Sequence, residues 1–120
     1  MSNYSYVATR ARSRRSRLLP PEAYTQLLNL DLPEIARYIQ DLEYRREIDR
    51  YGSKFTGADL IEMALVDNLA EDVGDFLGFS TGKLREILVT YAERYRVENL
   101  KNIMRGVNQG MSSEDIERLV

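Results

Sequence analysis

The stretch Tyr4–Leu19, YSYVATRARSRRSRLL, decides how the rest of the chain is read. It carries Arg10, Arg12, Arg14, Arg15 and Arg17 and no acidic residue. With successive side chains turned by about 100°, Tyr4, Val7, Ala8, Ala11, Leu18 and Leu19 share one helical face. Arg10 and Arg17 fall on the opposite face with Tyr6, while Arg12 and Arg14 flank the apolar stripe. Arg15 lies inside the stripe, where a charge must meet a carboxylate or reach past its neighbours to water. The pattern is an amphipathic helix with a basic back. Either it forms one wall of a helical core, or it addresses an anionic partner.

Outward from this segment the chain reads as more helix. Pro20-Pro21 stops the first element, and Pro21 can open a second, Glu22 to Leu28, with Tyr24, Leu27 and Leu28 inward. Asp31 and Glu34 have the spacing of a capping box ahead of Ile35, Tyr38, Ile39 and Leu42. Tyr44, Ile48 and Tyr51 follow, up to Gly52 as a stop. Thr56 with Asp59 opens a helix to about Leu77 through Leu60, Ile61, Ala64, Leu65, Leu69 and Val73. Ser80 is expected to cap the next one. That run has two stripes, Leu84, Ile87, Leu88, Tyr91 and Tyr95, then Val97, Leu100, Ile103, Met104 and Val107, out of phase with each other. Against one flat surface they require two helices or a bend near Tyr95–Val97. Gly110 closes the run.

Residues 1–111 therefore read as one all-α domain of six to seven short antiparallel helices. Residues 112–120, with Ser112 and Asp115 at a helix start, read as the beginning of a further element cut from something longer.

Charge is unevenly spread. The chain has 17 basic and 19 acidic residues, yet the five basic residues of the first twenty face no acidic one there. The plain reading is a basic helix lying against its own acidic body; the functional one is a molecule with a different partner at each end. Interleaved with arginine, Tyr4 and Tyr6 could stack on bases, so an all-α module binding nucleic acid through the Arg-rich helix is the alternative function.

The composition excludes much chemistry. With no Cys and no His, disulfides, thiol and imidazole catalysis and the usual zinc sites drop out. No apolar run approaches the roughly 18 residues of a membrane span. Glu43/Glu47, Asp67/Glu71 and Glu71/Asp75 are carboxylate pairs at i, i+4, the pattern of a solvated acidic face. Ser80-Thr81-Gly82-Lys83 lacks the spacing of a phosphate-binding loop. No catalytic, cofactor or metal residue is assigned.

The opening Tyr4-x-Tyr6-x-x-x-Arg10-x-Arg12 leading to Leu18-Leu19 resembles the C subunit of the A-type (V/A-type) ATP synthase, related to the d subunit of V-type ATPases. The similarity continues in Tyr24-x-x-Leu27-Leu28-Asn29, in Tyr44 with Glu47-Ile48, in Leu69-Ala70, and in Tyr95-Arg96-Val97-Glu98-Asn99-Leu100-Lys101 with Arg105. At Arg96 the family commonly carries Asp. The resemblance implies the first of three similar helical domains. It implies a non-catalytic part, cytoplasmic and peripheral to the membrane, that couples the central stalk to the proteolipid ring and transmits torque. Its partners would be the stalk and the ring, with no cofactor, no small-molecule substrate and no nucleic acid; an isolated domain could also dimerise. Arg10 and Arg12 carry over best. With Arg14, Arg15, Arg17, Tyr4 and Tyr6 they are the candidates for partner contact or for structural ion pairs.

Overall fold

The computed structural model describes residues 2–118 and residue 120. Among these the chain is all-α, with seven helices and no strand. They are α1 (Tyr4–Arg15), α2 (Pro21–Leu27), α3 (Leu32–Gln40), α4 (Arg45–Tyr51), α5 (Gly57–Phe79), α6 (Gly82–Asn108) and α7 (Ser113–Glu117). Two compact units result. One is Tyr4–Phe79, holding α1 to α5; the other comprises Ser2, Asn3 and the segment from Ser80, holding α6 and α7.

In the first unit, α3 starts where the sequence places its capping box. Asp31 Oδ1 accepts from the Glu34 N–H at 2.9 Å, and Glu34 Oε2 accepts from the Asp31 N–H at 3.0 Å, so two otherwise orphaned donors are satisfied reciprocally. Pro33 falls in the first turn, where its missing N–H costs nothing. From that start, the helical spacing carries Ile39 inward, where it meets Ile48 of α4 and Leu60 and Ala64 of α5. Ala36, Tyr38, Tyr44, Tyr51, Phe55 and Ile61 pack around this small core. Ala64 is wholly buried, and its lack of bulk lets α5 approach α3 and α4 closely. Leu42, the last apolar position read for this helix, lies beyond Gln40, where α3 ends, and is exposed.

The first helix uses a different face from the one its apolar residues suggest. Only Val7 is buried. The contacts to α5 come from Tyr6, Arg10 and Arg14, one helical turn apart. Tyr6 meets Phe79 edge-on at 5.9 Å, and the Arg10 guanidinium lies 4.9 Å from the centre of the same ring. Arg14 lies 5.5 Å from Phe76. Arginine planes on aromatic faces supply the packing that aliphatic side chains would otherwise give. Arg15, assigned to the apolar stripe, is exposed, since that stripe is not a buried wall.

In the second unit, α6 runs unbroken for 27 residues, so the expected pair of helices near Tyr95–Val97 is one helix. The expectation assumed that both stripes serve one surface. Instead Tyr91, Tyr95, Val97, Leu100, Met104 and Val107 are all exposed, and no Gly or Pro interrupts residues 83–105. Ser80 is not the cap either: it is buried, and Thr81 occupies that position. The N-terminal segment attends to the opening turn, with Asn3 Oδ1 accepting from Thr81 N–H at 2.9 Å and Ser2 Oγ from Leu84 N–H at 3.3 Å. At the other end Gly110 adopts φ 71°. Met111 N–H then bonds Gly106 C=O at 3.0 Å and Gly110 N–H bonds Val107 C=O at 3.1 Å. This double closure needs a left-handed residue that glycine supplies without strain. It folds α7 back onto α6, where Ile116 sits so close to Gly106 that a Cβ there would lie 2.6 Å from its Cγ1. Ser112 caps α7, accepting from the Asp115 N–H at 3.2 Å. Leu119, part of the expected final segment, lies outside the described residues.

Candidate functional site: an arginine–carboxylate network on α5

Helix α5 presents Asp67, Glu71, Asp72 and Asp75 within little more than two turns, and arginines from α1 and α4 converge on them. Arg14 binds Asp72 and donates to Asp75 at 2.8 Å. Its pKa is raised, chiefly by the hydrogen bond to Asp75, with Asp72 adding to the effect and partial burial opposing it. From α4, Arg46 binds Glu71 and lies 3.4 Å from Glu47, while Arg50 donates to Asp67 at 2.7 Å and lies 3.7 Å from Glu71. Arg17, in the turn after α1, is 3.4 Å from Glu43. Most of these groups line a cleft of about 230 Å³, with Asn68 among them.

Arg14 of α1 spreads its two terminal nitrogens over Asp72 and Asp75, and Arg46 and Arg50 of α4 each reach carboxylates of α5, so two helices are pinned to the third. The cleft is smaller than an ordinary small-molecule pocket, about 300–1,000 Å³, and charged side chains dominate its lining, where such pockets are mostly apolar. Burial of the Tyr44 ring beside the network pushes its phenol upward, with the Glu43 charge adding to the shift. Such an arrangement clamps helices.

The five arginines of the opening helix and the turn after it thus divide. Arg14 and Arg17 pair with carboxylates of their own unit, and Arg10 lies on the rings of Phe79 and Tyr6. Arg12 and Arg15 are exposed and make no ion pair among the described residues. Tyr4 is half exposed, as is Tyr6 despite its contact with Phe79.

Sequence does not single out the acidic partners, because carboxylates at i, i+4 look the same whether water or arginine faces them. Glu47 departs furthest from that pattern: it is fully buried. The basic first helix set against an acidic remainder is the signal that could have found the network.

Comparison with known proteins supplies what the geometry does not. The family model described as ATP synthase (C/AC39) subunit matches residues 7–120. The A-type ATP synthase C subunit of Methanosarcina mazei is 42% identical over 115 residues, 96% of this chain and 32% of that protein. Its counterpart in Haloferax volcanii is 40% identical over 116 residues, 97% of this chain and 33% of its own length. That of Archaeoglobus fulgidus is 37% identical over 117 residues, 98% and 34%. The chain therefore spans about a third of the length of the curated relatives it matches. No solved structure matches it.

Proposed function

The chain belongs to the ATP synthase (C/AC39) subunit family, and from that premise we propose that it is a non-catalytic coupling element of an A-type rotary ATP synthase. In this reading it is peripheral to the membrane on the cytoplasmic side, seated between the central stalk and the proteolipid ring, and it passes torque between them. The observation that carries the reading is identity of about 40% across nearly the whole chain to proteins named for that complex. The arginine network supports it physically. A part that transmits torque must resist sliding of one helix on another, and ion pairs from Arg14 of α1 and from Arg46 and Arg50 of α4 onto α5 oppose that motion. No helix among the described residues is long and apolar enough to cross a membrane, which suits a peripheral seat.

Within this role Arg10, Arg14 and Arg17 hold the unit together, whereas Arg12 and Arg15 meet an acidic surface on a neighbouring protein of the complex. The test is retention of the purified chain by detergent-solubilised proteolipid ring and by central-stalk proteins, alongside an Arg12→Glu/Arg15→Glu variant. Retention of the wild type, lost in the variant while its circular dichroism and Tm are unchanged, is the expected result. A wild type that ignores both partners sinks the coupling role. Equal retention of the variant removes Arg12 and Arg15 from the contact.

A further inference from the structure

The joint between α4 and α5 holds a group that the arginine network leaves incomplete. Glu47 is 0% exposed, and its Oε2 has no hydrogen-bond partner among the described residues. Its Oε1 has Arg46 at 3.4 Å, a long contact. A carboxylate taken out of water needs partners that replace its lost hydration, and half of this one has none.

One carboxylate oxygen each from Glu47, Asp67 and Glu71 lie within 4.8 Å of one another. Three atoms that close share a point no more than about 2.8 Å from each, near the roughly 2.3–2.6 Å of calcium–oxygen bonds, so small side-chain adjustments let one ion touch all three. Clustered carboxylates alone are ordinary on a helix surface; the buried, unpartnered oxygen of Glu47 sets this cluster apart. The charge count agrees. Arg46 and Arg50 bring two positive charges to three carboxylates, leaving one negative charge uncompensated. The two arginine side chains are 66% and 46% exposed and can turn to solvent, whereas Glu47 cannot.

We propose that Glu47, Asp67 and Glu71 bind a hard divalent cation that ties α4 to α5. Three carboxylates without nitrogen or sulfur select the calcium–magnesium class over zinc or copper. Ca²⁺ is favoured over Mg²⁺, because its flexible coordination tolerates ligands drawn from two helices while Mg²⁺ demands a near-ideal octahedron.

The test uses the whole chain, stripped with EDTA and titrated with Tb³⁺ as a stand-in for Ca²⁺ under excitation of tyrosine. Tyr44 and Tyr51, at the two ends of α4, are the expected sensitisers. The result expected is saturable Tb³⁺ emission that Ca²⁺ displaces at lower concentration than Mg²⁺, weakened at least tenfold by Glu47→Gln and by Asp67→Asn. Calcium at one hundred times its Kd should then raise Tm by roughly 10 °C. Absence of both saturable emission and a Tm shift overturns the proposal. So does emission that survives the substitutions, since the ion is then bound elsewhere. Should Glu47→Gln fail to fold, Asp67→Asn carries the decision, because the Asp67 side chain is partly exposed.

Discussion

Truncating Ile39 and Leu100 to alanine, one at a time, separates what this fold buries from what it merely patterns. Both are aliphatic residues at apolar helical positions, yet Ile39 is 2% exposed and Leu100 57%. Removing Ile39 beyond Cβ forfeits most of the roughly 1.5–3 kcal/mol gained by burying its side chain. It also leaves a cavity among Ile48, Leu60 and Ala64, which places the total within the usual range of about 2–5 kcal/mol. For a core this small, with neighbours on two further helices, about 3 kcal/mol is expected. With a urea m-value of about 1.5 kcal/mol/M, the midpoint falls by about 2 M, a large part of the stability of a chain this size. Leu100→Ala removes little buried area and gains slightly in helix propensity, so its change stays within about 0.5 kcal/mol. Equilibrium urea unfolding followed by circular dichroism at several protein concentrations reads both. A shift below about 0.5 kcal/mol for Ile39→Ala refutes the core as described. A Leu100→Ala cost equal to that of Ile39→Ala refutes the exposure of α6, and concentration dependence would then identify a second copy as its cover.

The other predictions address the cap, the network and the pH response. Asp31→Ala deletes one half of the capping box and should destabilise the chain by about 1 kcal/mol, read from the same urea curves; an unchanged midpoint shows that α3 is held by packing alone. A double-mutant cycle of Arg14→Ala and Asp75→Asn should give a coupling of about 0.5–1 kcal/mol at low salt that shrinks by about 0.5 M NaCl, whereas a coupling indifferent to salt contradicts an ion pair. Tyr44 has its pKa raised above the ordinary 10.0 by burial. Its unfolded form therefore loses its proton first, and stability should fall as pH rises above about 10. Tyr44→Phe should flatten that decline without abolishing it, since Tyr95 is shifted upward as well, chiefly through its hydrogen bond with Tyr91. A midpoint-versus-pH profile between about pH 8 and 11.5 that is identical in both proteins rejects the assignment to Tyr44.

Helices are legible in the sequence wherever the signal is local. The Asp31/Glu34 box and Gly110 each act on backbone within a few residues, and the structure places α3 and the turn before α7 accordingly; α1, expected to run on to Leu19 at the proline pair, ends earlier, at Arg15. Ser80 fails as a cap because α6 starts at Gly82 with Thr81 at the N-cap position, and the Leu84 N–H of its first turn is met by Ser2, which is distant in sequence. The opening helix fails in a more instructive way. Its apolar stripe predicts one packing face, but Phe76 and Phe79 of α5 accept Arg14 and Arg10, and hydropathy has no means of scoring a guanidinium plane on an aromatic ring.

By itself, then, the sequence determined the class of fold, the absence of thiol and imidazole chemistry, and the family likeness. Propensity, capping and composition are properties of short segments, and likeness is a property of letters. Only the tertiary structure decided which apolar stripe becomes core, which arginines of α1 are engaged and which face solvent, and that Glu47 is the buried carboxylate among several alike. Those outcomes depend on which helix lies opposite. Periodicity fixes a face of a helix but does not name its neighbour.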